Sequence, residues 1–195
     1  MDLSLLLAAT LGAYLAGSIP FGLLVARLTG GPDPRSIGSG RTGGTNALRA
    51  LGRRRAAVVS AGDILKGTLP VLAVHALAAE GAEIWTSTWT VIAALFAVIG
   101  ATRSVWVGFK GGRGIATGFG TALAVAPLAL AAVSPVFIII IWRTRLVSLG
   151  SLVTAALFAP ALFLISYATT GGLDGALIAY GLVGPALVWL AHADN

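Results

Sequence analysis

The chain has 195 residues, of which 57% are hydrophobic and only 10% charged, with a formal net charge of +6. An ordinary soluble domain carries roughly 25% charged residues, so this composition excludes a solvated globular protein and points to a chain that lives in lipid. There is no cysteine, so disulfides, thiolate metal ligands and a cysteine nucleophile are excluded.

Uncharged runs extend over Leu3–Ala26, Gly67–Ala79, Ile84–Thr102, Ile115–Trp142, Leu146–Leu173 and Gly175–Ala191. A run of about twenty apolar residues matches a hydrocarbon core ~30 Å thick, so these read as membrane-spanning helices. The first is too long for a usual signal core and follows Asp2 rather than a basic leader, so it too reads as a span. The connections divide by charge. Arg27, Arg35, Arg41, Arg49 and Arg53 to Arg55 follow the first span; Arg103, Lys110 and Arg113 follow the third; Arg143 and Arg145 follow Ile115–Trp142. The other connections hold only Asp2, Glu80, Glu83 and Asp174. The positive-inside rule puts the basic loops in the cytoplasm and the N-terminus outside. This distribution orients a membrane protein and gives no sign of a nucleic-acid partner. Because Ile115–Trp142 is basic at both ends, it should cross twice, as two short helices hinged near Pro127 or Pro135. The expected fold is all-α: a single polytopic domain over residues 1–195 with about seven transmembrane helices, two of them short, and a cytoplasmic C-terminus. Five spans with a re-entrant hairpin is the alternative.

The polar clusters all fall on the cytoplasmic side of this topology. In "GSGRTGGTNALR", Gly38 to Arg49, glycines such as Gly38 and Gly40 leave backbone N–H groups uncovered, which suits an anion site. Ser39, Thr42, Thr45 and Asn46 add neutral hydrogen-bonding groups. Thr45 or Asn46 is a candidate cap for a short helix ending at Gly52, with Asn46 and Arg49 on one face. The Arg49 fork matches phosphate oxygens, whereas Arg53 to Arg55 read as lipid-headgroup contacts. "GDILKG" puts Asp63 and Lys66 three apart on one helix face, either as a mutual pair at the helix entrance or as part of a site. His75 lies inside a span with no evident partner and reads as structural. "GFKGGRGIATG" again joins exposed backbone at Gly111 and Gly112 to Lys110 and Arg113, ahead of a helix N-terminus. Its spacing is not that of a Walker A loop. "AHADN" ends the chain, with His192 and Asn195 on one face if the last helix continues.

Taken together, these stretches resemble the bacterial acyl-phosphate:glycerol-3-phosphate acyltransferase family (PlsY type). "AGSIPFGLLVARLTG" is similar to its first helix and "DPRSIGSGRTGGTNALRALG" to its first signature. "GDILKG" follows, "GFKGGRGIATGFG" resembles the second signature, "RLVSLGS", containing Ser148, a third, and "AHADN" the start of the last. The chain carries Arg41, Gly44 and Arg113 where the family pattern has Asn, Ala and Lys. It has Gly100–Ala101 where the pattern has Gly-His, and Ala191 where it has Arg.

The resemblance implies an integral enzyme of the bacterial cytoplasmic membrane, with its active site facing the cytoplasm and no cofactor or metal. It would transfer an acyl group from acyl phosphate to the 1-hydroxyl of glycerol 3-phosphate, giving lysophosphatidic acid for phospholipid synthesis. Arg49, Lys110 and Arg113 would hold the two phosphates, with Gly38, Gly40, Gly111 and Gly112 lining the loops. Ser39, Thr45 and Asn46 would orient the glycerol or the donor, and His192 and Asn195 would close the site. Asp63, Lys66 and Ser148 would shape it. An acyl-serine on Ser39 is chemically conceivable, but direct transfer in a ternary complex is the expectation. A small-anion or lipid transporter, or a catalytically inactive lipid-binding relative, are the rival readings.

Overall fold

The computed structural model describes residues 3–78 and 83–193, and its regular elements among those residues are helices. In order they are α1 (Leu3–Ser18), α2 (Phe21–Leu28), α3 (Gly44–Ala78), α4 (Glu83–Thr102), α5 (Ile115–Val125), α6 (Pro127–Thr144), α7 (Val147–Thr170) and α8 (Gly175–Leu190). Short 3₁₀ turns at Pro34–Ser36 and Val105–Val107 lie in the connections. By length and composition, four of the described helices can cross a bilayer, and α1 with α2, bent by 53°, makes a fifth; α5 and α8 are apolar but shorter.

The breaks have local causes. Pro20 has no N–H to continue the helix, so α1 ends before it. That break takes the Ser18 and Ile19 carbonyls out of the helical ladder, and buried backbone oxygens are costly to leave unpaired. Ser104 donates to the Ser18 oxygen at 2.5 Å and Lys66 Nζ to the Ile19 oxygen at 2.8 Å. At the predicted hinge in Ile115–Trp142 the chain turns at Ala126 and α6 starts with Pro127, where a missing N–H costs nothing. Pro135 is absorbed inside α6. The two short helices expected in Ile115–Trp142 are therefore α5 and α6.

Small residues let the backbones approach. A side chain at Gly67 would strike the Thr117 carbonyl, and one at Gly120 the Ile64 carbonyl, so α3 and α5 cross almost backbone to backbone. Thr68 Oγ1 bonds to the Gly120 oxygen at 2.9 Å across that contact. Gly17 and Gly100 meet Ala97 and Tyr14 of the opposite helix in the same way, locking α1 to α4. Farther from the loops, Val71, Val91, Ala94, Ala122, Leu130, Phe158, Leu162 and Tyr180 pack into one apolar core.

Three expectations change. The second span does not begin at Gly67. Its helix runs from Gly44, kinks at Gly52 (φ 79°), and continues through Asp63 and Lys66 to Ala78. It can do so because the two charges pair at 2.7 Å and Lys66 is further held by the Ile19 carbonyl. Thr45 and Asn46 lie in the first helical turn rather than at its cap; Gly43 accepts the first bond. His75 is not without a partner, since its Nδ1 lies 3.3 Å from Thr90 Oγ1 of α4.

Candidate functional site

The polar signatures, far apart in sequence, surround one cavity of about 1020 Å³. Gly38, Ser39, Thr45, Asn46 and Arg49 line it from the first loop and the start of α3. Gly112 and Arg113 line it from the approach to α5, Asp63 and Lys66 from mid-α3, Ser148 from α7, and His192 from the C-terminal turn. The first turns of α3, α5 and α7 all border it. Each contributes the partial positive charge of a helix N-terminus. Such ends favour anions, and three of them meet here.

In the first loop, Asn46 is the buried organiser. Its Nδ2 donates to Ser39 Oγ at 3.2 Å and to the Arg41 carbonyl at 3.0 Å, while its Oδ1 accepts from Arg49 at 3.3 Å. Asn46 and Arg49 share a helix face, as their spacing predicts. Gly38 has φ 62°, and a Cβ there would collide with Asn46 Oδ1 and the Arg49 guanidinium. Only glycine leaves room for that pair beside the loop.

Arg113 donates to Ser148 Oγ at 2.9 Å, tying the approach to α5 to the start of α7. Burial, then the neighbouring Arg41 and Arg49, push the Arg113 guanidinium down from its ordinary pKa. Among the described residues that line the cavity the carboxylate is Asp63, which pairs with Lys66 at 2.7 Å. The guanidiniums of the lining make the cavity attractive to an incoming anion. Arg41, Arg53 and Arg145 also line the cavity, which brings its guanidinium count to five.

His192 is buried, and its Nδ1 lies 2.8 Å from the Val188 carbonyl. A carbonyl only accepts, so Nδ1 carries the hydrogen and Nε2 keeps its lone pair when the ring is neutral. Burial lowers the pKa of His192, the Val188 bond opposes this, and the Arg113 and Arg41 charges lower it further. A neutral imidazole beside a cationic anion site can accept a proton.

Not every predicted residue joins the cavity. Lys110 is exposed and, like Gly40 and Gly111, does not line it. The N–H groups of Gly111 and Gly112 are not free for an anion, because they bond to the Thr102 and Ala101 carbonyls and cap the end of α4. Asn195 lies outside the described residues. Thr42, named in the first loop, also lines the cavity, whereas Arg41, Arg53, Arg145 and Ser60 line it without having been assigned to the site. Arg145 was read as a topology signal and as the first residue of the RLVSLGS stretch, without a role in the site; its place beside Ser148 at the start of a helix was the clue.

A second cavity, of about 370 Å³ and walled by α5, α6, α7 and α8, adjoins the first. Both share Ile115, Phe119, Phe137 and Ser151. The second is almost wholly apolar, so an anion site opens onto a greasy slot.

Residues 7–195 match the family model "Glycerol-3-phosphate acyltransferase". The chain is 44% identical over 190 residues to a glycerol-3-phosphate acyltransferase of Synechococcus sp. (strain JA-2-3B'a(2-13)), covering 97% of this chain and 88% of that one. It is 38% identical to one from Methylorubrum extorquens (strain PA1), over 97% of this chain and 87% of the relative. Two crystal structures of PlsY (YgiH), an integral membrane glycerol 3-phosphate acyltransferase, superpose on it. The glycerol 3-phosphate form gives a TM-score of 0.82 and the lysophosphatidic acid form 0.80. Each is 33% identical, covering 97% of this chain and 89% of the crystal chain.

Proposed function

This chain belongs to the glycerol-3-phosphate acyltransferase family, and from that premise we propose that it takes its acyl group from an acyl phosphate. The acceptor is the 1-hydroxyl of glycerol 3-phosphate, and the products are lysophosphatidic acid and inorganic phosphate. The reaction takes place at the cytoplasmic face of a bacterial membrane crossed seven times. The observation that carries this reading is a cavity with five guanidiniums and three helix N-termini joined to an apolar slot. Two phosphate groups and one acyl chain match that layout.

Arg49 and Arg113, with Arg41 between them in charge, hold the phosphates. Arg supplies a two-pronged fork for each set of oxygens. Ser39 and Thr45 orient the glycerol, and Asn46 holds Ser39 and Arg49 in place. Ser39 Oγ accepts from the Asn46 amide, which supports a positioning role for it and direct transfer to the acceptor. The glycerol hydroxyl oxygen bonds to the acyl carbon, the carbon–oxygen bond to phosphate breaks, and phosphate leaves with the electron pair. The hydroxyl proton passes to His192 Nε2 or to the departing phosphate. The cations stabilise charge as it develops on the carbonyl and leaving oxygens. Asn195 is assigned the closing of the site beside His192.

The test is a two-substrate assay on the purified protein. Palmitoyl phosphate with glycerol 3-phosphate should yield lysophosphatidic acid and phosphate in equal amounts, and Arg49→Ala should cut turnover about 100-fold or more. No product, beside an active family control, would reject the proposal; glycerol 3-phosphate flux into vesicles without acylation would indicate a transporter.

A further inference from the structure

The apolar slot has a definite depth. Its mouth is marked by the residues it shares with the polar cavity: Ile115 on α5, Phe137 on α6 and Ser151 on α7. On α8, Val188 sits one turn before His192. From each of these points the lining residues march away from the loops and stop at the same level. They end at Ala122, Leu130, Phe158 and Tyr180. Those four residues also belong to the packed apolar core, which continues beyond them through Leu162 and Ala126. The slot ends where the core begins.

That end is rigidly built. Phe158 and Tyr180 meet edge to face, with ring centroids 5.9 Å apart. The Tyr180 hydroxyl is pinned 2.9 Å from Thr121 Oγ1 in a buried bond between α8 and α5. Tyr180 is 3% exposed and Phe158 8%, whereas Phe119 and Ile138 near the mouth are 39% and 63% exposed. A rotamer change at the floor would break a hydrogen bond and open a void in packed core.

Building on the acyltransferase reading, we infer that this floor is a gauge of acyl-chain length. Phe158 and Tyr180 would stop the terminal methyl, and Thr121 would hold Tyr180 in place. At 1.5 Å per helical residue, Ser151 to Phe158 spans about 10 Å and Val188 to Tyr180 about 12 Å. An extended chain of three bonds per residue advances about 3.5 Å per residue, so the slot takes roughly eight to ten bonds beyond its mouth. Carbons between the reacting carbonyl and the mouth add to this length. A longer tail must displace the floor, bend back toward the mouth or leave through the open flank beside Ile138, each at the expense of slot contacts.

The experiment measures kcat/KM for saturated acyl phosphates from octanoyl to stearoyl. In parallel, lysophosphatidates of the same lengths are scored by how far each raises the melting temperature. Phe158→Ala should move both optima to longer chains and Ala155→Leu, on the slot wall, to shorter ones. Neighbouring chain lengths should change in relative kcat/KM by roughly tenfold per methylene. If both variants fold and keep the wild-type profile, the gauge is wrong. If Phe158→Ala fails to fold, Phe158→Leu with Ala155→Leu decides in the same way. If no acyl phosphate is turned over at all, the donor assignment falls; the lysophosphatidate series then supports or rejects the gauge alone.

Discussion

Arg113 shows how one side chain links sequence and chemistry. The position is legible as a cation in a glycine-rich stretch, but its partner is not, because Ser148 lies on another helix 35 residues away. If Arg113 holds a phosphate as proposed, replacing it with Ala should lower kcat/KM about 100-fold. Ser148→Ala only loosens the fork and should mainly raise KM, by a few-fold. Steady-state kinetics of both variants check this, and equal losses would remove the hierarchy. His192 makes a separate prediction. Burial and the nearby arginines hold its pKa below the ordinary ~6.5, so the base stays neutral under mildly acidic conditions. The acid limb of kcat/KM should fall below pH ~6.5 and vanish or move in His192→Gln. A limb unchanged in that variant would belong to the substrate phosphates, whose second pKa is about 6. The same shift acts on stability. Above pH ~6.5 it costs nothing; below, the unfolded chain binds the proton more readily, so stability falls as pH drops toward the folded-state pKa. Lys110 marks the opposite case. Charge and sequence context nominated it, but the neighbouring N–H groups of Gly111 and Gly112 are bonded to the end of α4, and the turn leaves the lysine outside the cavity.

Among the helices, the broken first span and the kinked third are one device. The first run reads in sequence as one span although it holds Pro20, where the helix breaks; that Lys66 would bond to the Ile19 carbonyl there is not legible either, since 47 residues separate donor and acceptor. The pair with Asp63 explains why a lysine is tolerated at that depth. Side chains of both residues are about nine-tenths buried, and the gap between them is 2.7 Å. Removing one partner leaves the other charge uncompensated, a loss of about 3–5 kcal/mol. Asp63→Ala should therefore lower thermal stability sharply. The double variant Asp63→Leu with Lys66→Met should recover part of the pair's charge penalty but leave the Ile19 carbonyl with the Phe21 N–H alone, at 3.1 Å. Melting curves in detergent test this, and a double variant less stable than Asp63→Ala would show that the carbonyl bond matters more than the charges. The hinge in Ile115–Trp142 was legible because basic residues at both ends demanded an even number of crossings. Choosing Pro127 over Pro135 required knowing where a helix could start, and either proline fits the sequence alone.

Across the whole molecule, the positive-inside pattern makes a claim about sidedness that the helix packing alone does not test. Residues that build the cavity come from the loop before α3, the approach to α5, the α6–α7 turn and the end of α8. The first three were assigned to one side from their basic residues and the end of α8 by the count of seven crossings, and the cavity brings all four segments together. Charge counting groups the polar segments; it could not locate the slot, because its walls are ordinary apolar residues indistinguishable in sequence from those that face lipid. Leu128, exposed, and Leu130, buried, sit two positions apart in one helix. The absence of native cysteine allows a clean test. Single cysteines at Arg54, Trp142 and Gly172 should divide into two groups in intact cells. Gly172 alone should react with an impermeant maleimide from outside, and Arg54 and Trp142 should react only after permeabilisation. Labelling of Arg54 and Gly172 from the same side would break the seven-crossing scheme. Labelling of Trp142 and Arg54 from opposite sides would leave the shared cavity without a common aqueous face, and two water-soluble phosphates could not then reach it together.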